Sequence, residues 1–197
     1  MPTFLHVGCG AKRKSETTAG FNRPEWTEVR LDIDPAAQPD IVSDMVDMSS
    51  VASGAMDALF SSHNIEHLYQ HQVPQALAEF RRVLKPDGFV VIGCPDLQAV
   101  AALLAEDKLT EPVYRSPAGP VTPHDMFYGF GPSMAQGHLF MAHRCGFTRT
   151  SLIKALHQAG FQRVGARRLR YDLWVVATLG AMPDETLKGL MADHLPT

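Results

Sequence analysis

The stretch that most constrains the fold stands at the start, where Thr3-Phe4-Leu5-His6-Val7 runs into Gly8-Cys9-Gly10. A short apolar run broken by two glycines one residue apart predicts a buried strand whose backbone turns sharply. Such a turn also leaves amide groups uncovered by side chains, so a ligand can approach closely. A lone G-x-G occurs by chance in many chains, and the reading depends on what recurs downstream. Phe89-Val90-Val91-Ile92-Gly93-Cys94-Pro95 is a continuous apolar run, the pattern of a strand covered on both faces in a parallel sheet.

Between these two runs, Glu28–Asp34 reads as a strand ended by Pro35. Asp32 lies 22 residues after Gly10, close to the spacing at which nucleotide-binding α/β folds place a ribose-binding carboxylate. Asp32 and Asp34 equally suit turn residues before a proline. Asp40–Asp44 reads as a short third strand, too close to the second for a crossover helix, and Met56–Ser62 as a fourth. Pro74–Leu84 carries Leu77, Phe80, Val83 and Leu84 at helical spacing, and Lys85-Pro86-Asp87-Gly88 is expected to stop that helix. Another helix begins with Asp96 as N-cap, placing Leu97, Val100, Ala101 and Leu104 on one stripe.

Residues 110–146 are dense in proline and glycine with interleaved aromatics and histidines, which predicts a long lid or binding loop with little regular structure. A helix over Thr150–Ala159 follows, capped by Thr150 or Ser151 and closed by Gly160. Phe161–Leu169 and Tyr171–Leu179 read as an antiparallel pair, and Pro183–Leu195 as a terminal helix. The pattern is α/β, one domain over residues 1–197 with helices on both faces of the sheet.

Composition narrows the function. A chain of 197 residues, 45% hydrophobic and 20% charged, can bury a proper core. A net charge of −3 gives no global reason to expect nucleic acid, and no apolar run is long enough to span a membrane. The first residues run straight into a strand, leaving no room for a signal peptide. Cys9, Cys94 and Cys145 are scattered and lack a C-x-x-C pattern, as expected of free thiols in a reducing cytoplasm.

In order and spacing, L-H-V-G-C-G at 5–10, L-D-I-D-P at 31–35, D-I-V-S-D-M at 40–45, F-S-S-H-N-I-E-H-L at 60–68 and L-A-E-F-R-R-V-L-K-P-D-G-F-V-V-I at 77–92 resemble the class I S-adenosylmethionine-dependent methyltransferases. The likeness is to small bacterial members with abbreviated N-terminal helices. The resemblance implies a Rossmann-like, doubly wound sheet of seven strands in the order 3-2-1-4-5-7-6, with strand seven antiparallel. It also implies S-adenosylmethionine as cofactor and a small molecule as methyl acceptor. By position, Gly8, Cys9 and Gly10 would pass under the cofactor, and Asp32, with Ile33 beside it, would hold the ribose hydroxyls. Asp44 would accept from the adenine amino group, the Met45 amide would donate to the ring, and Ser62 or His63 would flank the methionine end. His63 and His67 would lie nearest the transferred methyl, as bases for an acceptor that arrives protonated. Phe127, Tyr128, Phe130, Phe140 and His143 would line or close the acceptor side.

Two positions depart from the family pattern. His6 stands where an acidic residue often binds the cofactor's ammonium group, and Lys12 where a third glycine is common. They motivate an alternative, a non-catalytic cofactor- or partner-binding module on the same fold. Lys12 or Arg13 would be free to pair with the cofactor's carboxylate, and the alternative for both is a solvated basic loop. Arg163, Arg167, Arg168 and Arg170 read as the wet face of an edge strand. His63-Asn64-Ile65-Glu66-His67 also matches H-x-x-E-H, a zinc-protease pattern when it lies on a long helix. The stretch is also similar to the E-x-x-E-H with which some small-RNA methyltransferases bind a divalent ion, with His63 in place of the first Glu; that resemblance implies His138 or His143 as a distant ligand, and no metal is assigned.

Overall fold

In the computed structural model, which describes residues 1–197, β1 (Thr3–Val7) runs parallel to both β2 (Thr27–Asp32) and β4 (Met56–Ser62). The two-residue β3 (Ile41–Val42) extends this parallel set beyond β2, and β5 (Leu84–Pro95) beyond β4. The sheet is completed by β8 (Arg163–Leu169) and β9 (Asp172–Thr178). The order is β3-β2-β1-β4-β5-β9-β8, with β9 antiparallel to both neighbours. This is the expected seven-stranded, Rossmann-like arrangement; β9 and β8 take the places of strands seven and six.

The pleat sorts the side chains by face. Leu5 and Val7 face α1 (Val73–Val83) and α5 (Arg149–Gln158), joining Leu77, Phe80, Leu152 and Leu156 in the larger core. Phe4, Phe60 and Val91 face the other way, against Phe21, Trp26 and α6 (Asp184–His194). No helix is long and apolar enough to cross a membrane.

Several local expectations are corrected. α1 ends at Val83, as expected ahead of Lys85–Gly88, but that stretch is not a loop: β5 begins at Leu84, opposite Met56, and Phe89 then pairs with Ala58, so these residues bulge out of the ladder. On α2 (Leu97–Ala105), Asp96 caps as expected by accepting from the Gln98 amide. Of the predicted stripe, however, only Val100 is buried, because the segment after α2 covers that one position. That segment is more regular than its composition suggests. It forms a hairpin of β6 (Tyr114–Ser116) and β7 (Gly119–Val121), two short helices α3 (Pro123–Tyr128) and α4 (Gly131–Ala135), and a 3-10 turn at Leu139–Met141. Its prolines sit in first turns and at strand edges, where a missing amide costs little. The cap of α5 is Thr148, whose hydroxyl accepts from the Ser151 amide while Ser151 Oγ accepts from Thr148 N, a reciprocal box missed by two to three residues.

The arginines of β8 are tied down. Arg163 pairs with Asp184, Arg167 donates to the carbonyls of Leu195 and Pro196, and Arg168 Nε lies 2.7 Å from the buried carboxylate of Asp96. Arg163 and Arg167 fasten α6 and the chain end to the edge strand, and Arg168 fastens the start of α2.

His194, at the end of α6, is 3% exposed among Phe21, Trp26 and Phe89, with Nδ1 3.2 Å from Thr18 Oγ1. Burial lowers its pKa from 6.5 to about 4, against the pull of Asp193 and with a smaller push from Arg23. The unfolded chain takes up a proton near pH 6.5 that the folded chain refuses until about pH 4, so stability falls as pH drops through that window. Urea unfolding should show the wild type losing up to about 3 kcal/mol more than His194→Phe between pH 7 and pH 4. Parallel pH profiles would show that His194 is not the group responsible.

Candidate active site

At the C-terminal ends of β1 and β2 the backbone is shaped by a few polar contacts. Gly8 and Gly10 turn at φ +66° and +52°, and the amides of Gly8 and Cys9 both donate to the Leu31 carbonyl, at 2.9 and 3.2 Å. Asp32 Oδ2 accepts from the Gly10 amide at 2.7 Å, and Oδ1 from the Asp34 amide at 2.9 Å. The Arg30 side chain, buried beneath, donates to the carbonyls of Gly10, Lys12, Ala37 and Gln38. One guanidinium thereby ties the glycine loop to the loop after β2.

Above this framework opens a cleft of about 530 Å3. Of the residues expected at a cofactor, Gly8, Gly10, Asp32, Ile33, Asp44 and Met45 line it, and so do His63 and His67. Cys9 and Ser62 do not. Cys9 is 1% exposed, with its side chain in the interior, where burial pushes the thiol up to about 11. Ser62 lies on the wall of a second cavity of about 440 Å3, with Lys12 and Trp174; His63 lines both cavities. His6 faces the α6 side, its Nδ1 2.7 Å from Glu28 Oε1, while Glu28 Oε2 accepts from the Lys14 amide. Neither His6 nor Lys12 lines the first cleft.

From the long segment after α2, Phe140 reaches the cleft, together with His138 and Met141. Phe127 and Phe130 instead pack against Val100, Val121 and Met126, and Tyr128 is exposed beside His124. Among the lining residues that escaped the sequence reading are Asn64, Tyr69 and Arg144. Arg144 donates to the His67 carbonyl at 2.8 Å and lies 5.1 Å from the Tyr69 ring centroid, a cation–π contact that closes one end of the cleft. Nothing local marks this pair, since the partners are 75 residues apart in sequence.

The H-x-x-E-H stretch is not on a long helix. His63 stands at φ +52°, and only Ile65–His67 forms a single 3-10 turn. The zinc-protease geometry, which needs both histidines on one helix face, is thereby ruled out. His63 lies 3.6 Å from both Glu66 and Asp172. Against the opposing effect of burial, these two carboxylates push its imidazole up to about 10. A charged ring donates a proton rather than accepting one, which weighs against His63 as a base. Glu66 is 1% exposed; burial works to raise its pKa, but His63, His67 and His143 together hold it below the usual range. His67 donates Nδ1 to the Ala142 carbonyl at 3.2 Å and lies beside His143, ring centroids 5.0 Å apart, so it belongs to a cluster rather than standing as a free base.

With this geometry in hand, comparison with known proteins is informative. Residues 5–92 match the model of a methyltransferase domain family. Among solved structures, the chain is similar to the PH0226 protein of Pyrococcus horikoshii, at 16% identity and TM-score 0.62, over 89% of this chain and 81% of that one. It is also similar to a SAM-dependent methyltransferase from Archaeoglobus fulgidus, at 14% identity and TM-score 0.59, over 90% and 86% of the two chains. A third is the 1,6-didemethyltoxoflavin-N1-methyltransferase of Burkholderia thailandensis, solved with S-adenosylhomocysteine, at 17% identity and TM-score 0.57, over 90% and 71%. A comparison with curated proteins gives no significant match. The sheet and the cleft at its strand ends define a Rossmann-like fold of the methyltransferase kind. The family match over residues 5–92, rather less than half of the chain, likens its N-terminal part to methyltransferase domains.

A Cβ at Gly8 would come within 2.0 Å of Asn64 Nδ2, at a φ that side chains rarely adopt. Gly8→Ala should therefore destabilise the fold by about 2 kcal/mol, from steric overlap and backbone strain together. Adding Asn64→Ala should recover the steric part and leave the strain, as read by a double-mutant cycle in urea. Strict additivity would mean that Asn64 does not press on the turn.

Proposed function

We propose that this chain is an S-adenosylmethionine-dependent methyltransferase whose acceptor is a small molecule. The observation that carries the reading is Asp32, a carboxylate at a strand end, fixed by two backbone amides and facing a cleft whose floor is the Gly8–Gly10 turn. A carboxylate oxygen has two lone pairs, so after serving Gly10 and Asp34 each still accepts from a vicinal hydroxyl of a ribose. Ile33, 43% exposed over the cleft, and Met45 offer apolar surface for a flat base, with Asp44 beside them as acceptor for an exocyclic amino group. A Cβ built at Gly10 meets nothing within 4 Å, so the turn leaves space above its backbone. These residues fit S-adenosylmethionine, which supplies an activated methyl on a sulfonium.

What the chain itself contributes is placement. Holding the acceptor nucleophile in line with the methyl and keeping water out supplies about 7–11 kcal/mol of the barrier. The Gly8–Gly10 turn and Asp32 fix one reactant, and Phe140, Met141 and the Arg144–Tyr69 pair enclose the other. With His63 between two carboxylates and His67 Nδ1 engaged by the Ala142 carbonyl, the site suits a nucleophile that needs no dedicated base. A cleft of about 530 Å3 has the size of a small-molecule site. The toxoflavin-precursor enzyme among the similar structures acts on a compound of that kind, which supports the acceptor class. The non-catalytic alternative rested on His6 and Lys12, and both lie off the cleft.

Titration calorimetry of the protein with S-adenosylmethionine and S-adenosylhomocysteine tests the cofactor half. Saturable binding is expected, weakened by about 1–3 kcal/mol in Asp32→Ala, the scale of hydrogen bonds to a charged group. Thermal melts of the same samples separate lost affinity from lost fold. No heat at millimolar ligand would overturn the assignment.

A further inference from the structure

Glu66 is the one wholly buried carboxylate whose two oxygens both lack a hydrogen-bond partner. His63, its nearest cationic neighbour, stands 3.6 Å away, too far for a hydrogen bond. Leaving an ionised carboxylate without partners in the interior is costly, and proteins resolve it by pairing the charge or placing a cation on it. Two further side chains converge on the same point. Glu66, His67 and His143 each offer one ligand atom, and the three atoms lie within 4.8 Å of one another.

The orientation of the two rings is set by the backbone. His67 Nδ1 meets the Ala142 carbonyl at 3.2 Å, and His143 Nδ1 meets the Met126 carbonyl at 2.8 Å. A carbonyl only accepts, so each Nδ1 carries the proton, and Nε2 is the nitrogen left with a free lone pair. A ring nitrogen donated to a carbonyl, with the opposite one free, is how metal-binding imidazoles are held. Two imidazole lone pairs beside an unpartnered carboxylate repel one another unless something positive sits among them.

We propose that Glu66, His67 and His143 form a site for a divalent transition-metal ion, zinc being the best fit to two imidazoles and one carboxylate. Such a donor set is too rich in nitrogen for magnesium or calcium, which take oxygen ligands. Cys145, whose Sγ donates to the Ile65 carbonyl at 3.4 Å, lies outside this cluster. Three protein ligands leave at least one position for water or for an oxygen of a molecule in the cleft, which His67 lines.

The ligands come from the two sides of one wall. Glu66 and His67 belong to the turn after β4, and His143 to the end of the long segment after α2. These strands of chain already touch, since the amides of Arg144 and Cys145 both donate to the Glu66 carbonyl, at 2.9 and 3.2 Å. The ion would clip the base of the lid to the turn that follows β4.

Zinc binding is measured without the cofactor, so this proposal and the methyltransferase reading fail separately. The full chain, freed of metal with a chelator and dialysed, is titrated with Zn2+, and with Co2+ followed by its visible absorption. One equivalent of Zn2+ should bind and raise the melting temperature, and Co2+ should develop ligand-field bands of a low-coordinate site with nitrogen ligands. His143→Gln and Glu66→Gln should weaken zinc at least tenfold, whereas His124→Gln, away from the cluster, should leave it unchanged. In chelator, Glu66→Gln should melt no lower than the wild type, because it removes a buried charge that no hydrogen bond satisfies. Binding equally weak in all four proteins would overturn the proposal. So would a Glu66→Gln protein that is less stable in chelator while the wild type shows no zinc shift, an outcome that assigns the carboxylate to His63.

Discussion

Everything at the cleft depends on the buried guanidinium of Arg30. Its four carbonyl acceptors lie on two loops, one after β1 and one after β2. Neither loop has a hydrophobic core of its own. A planar, permanently charged donor reaching both at once fixes their separation, and the carbonyls neutralise what would otherwise be an expensive buried charge. Two residues further along β2, Asp32 takes the amides of Gly10 and Asp34. Arg30 and Asp32 thus hold the same turn, one by its carbonyls and one by an amide.

The sheet was legible because its signals are local or periodic. The glycine turn, the apolar run of β5 and the 3.6-residue spacing on α1 each demand one kind of burial, and the observed order satisfies all three. What misled was chemistry that depends on a distant partner. The Lys85–Gly88 stretch has every mark of a helix stop, yet it bulges inside a strand because Met56 and Ala58 of β4 pair on either side of it. The apolar stripe of α2 suggested a core face, but a helix is buried only where something covers it, and only Val100 is covered. Proline and glycine density after α2 suggested irregular chain, and instead limited the length of regular pieces.

The same division runs through the site. Gly8, Gly10, Asp32 and Asp44 could be placed from spacing, since strand ends bring them to one edge of the sheet. Cys9 and Ser62 were misplaced by a single residue of register: adjacent positions in extended chain point to opposite sides, so a neighbour of a lining residue readily faces elsewhere. The histidines were the hardest. Their spacing matches a helical motif, but a left-handed backbone at His63 breaks the helix before it starts. The charge environment of His63 depends on Asp172, more than a hundred residues away in sequence, as well as on nearby Glu66.

His63 has one more consequence. Its ring is the single side chain common to the cavity in front of the glycine turn and the cavity behind it, where Lys12, Ser62 and Trp174 stand. The two spaces therefore share one lining side chain, on a backbone at φ +52° and 3.6 Å from both Glu66 and Asp172. A change in the charge of either carboxylate would be felt at the wall of both compartments at once.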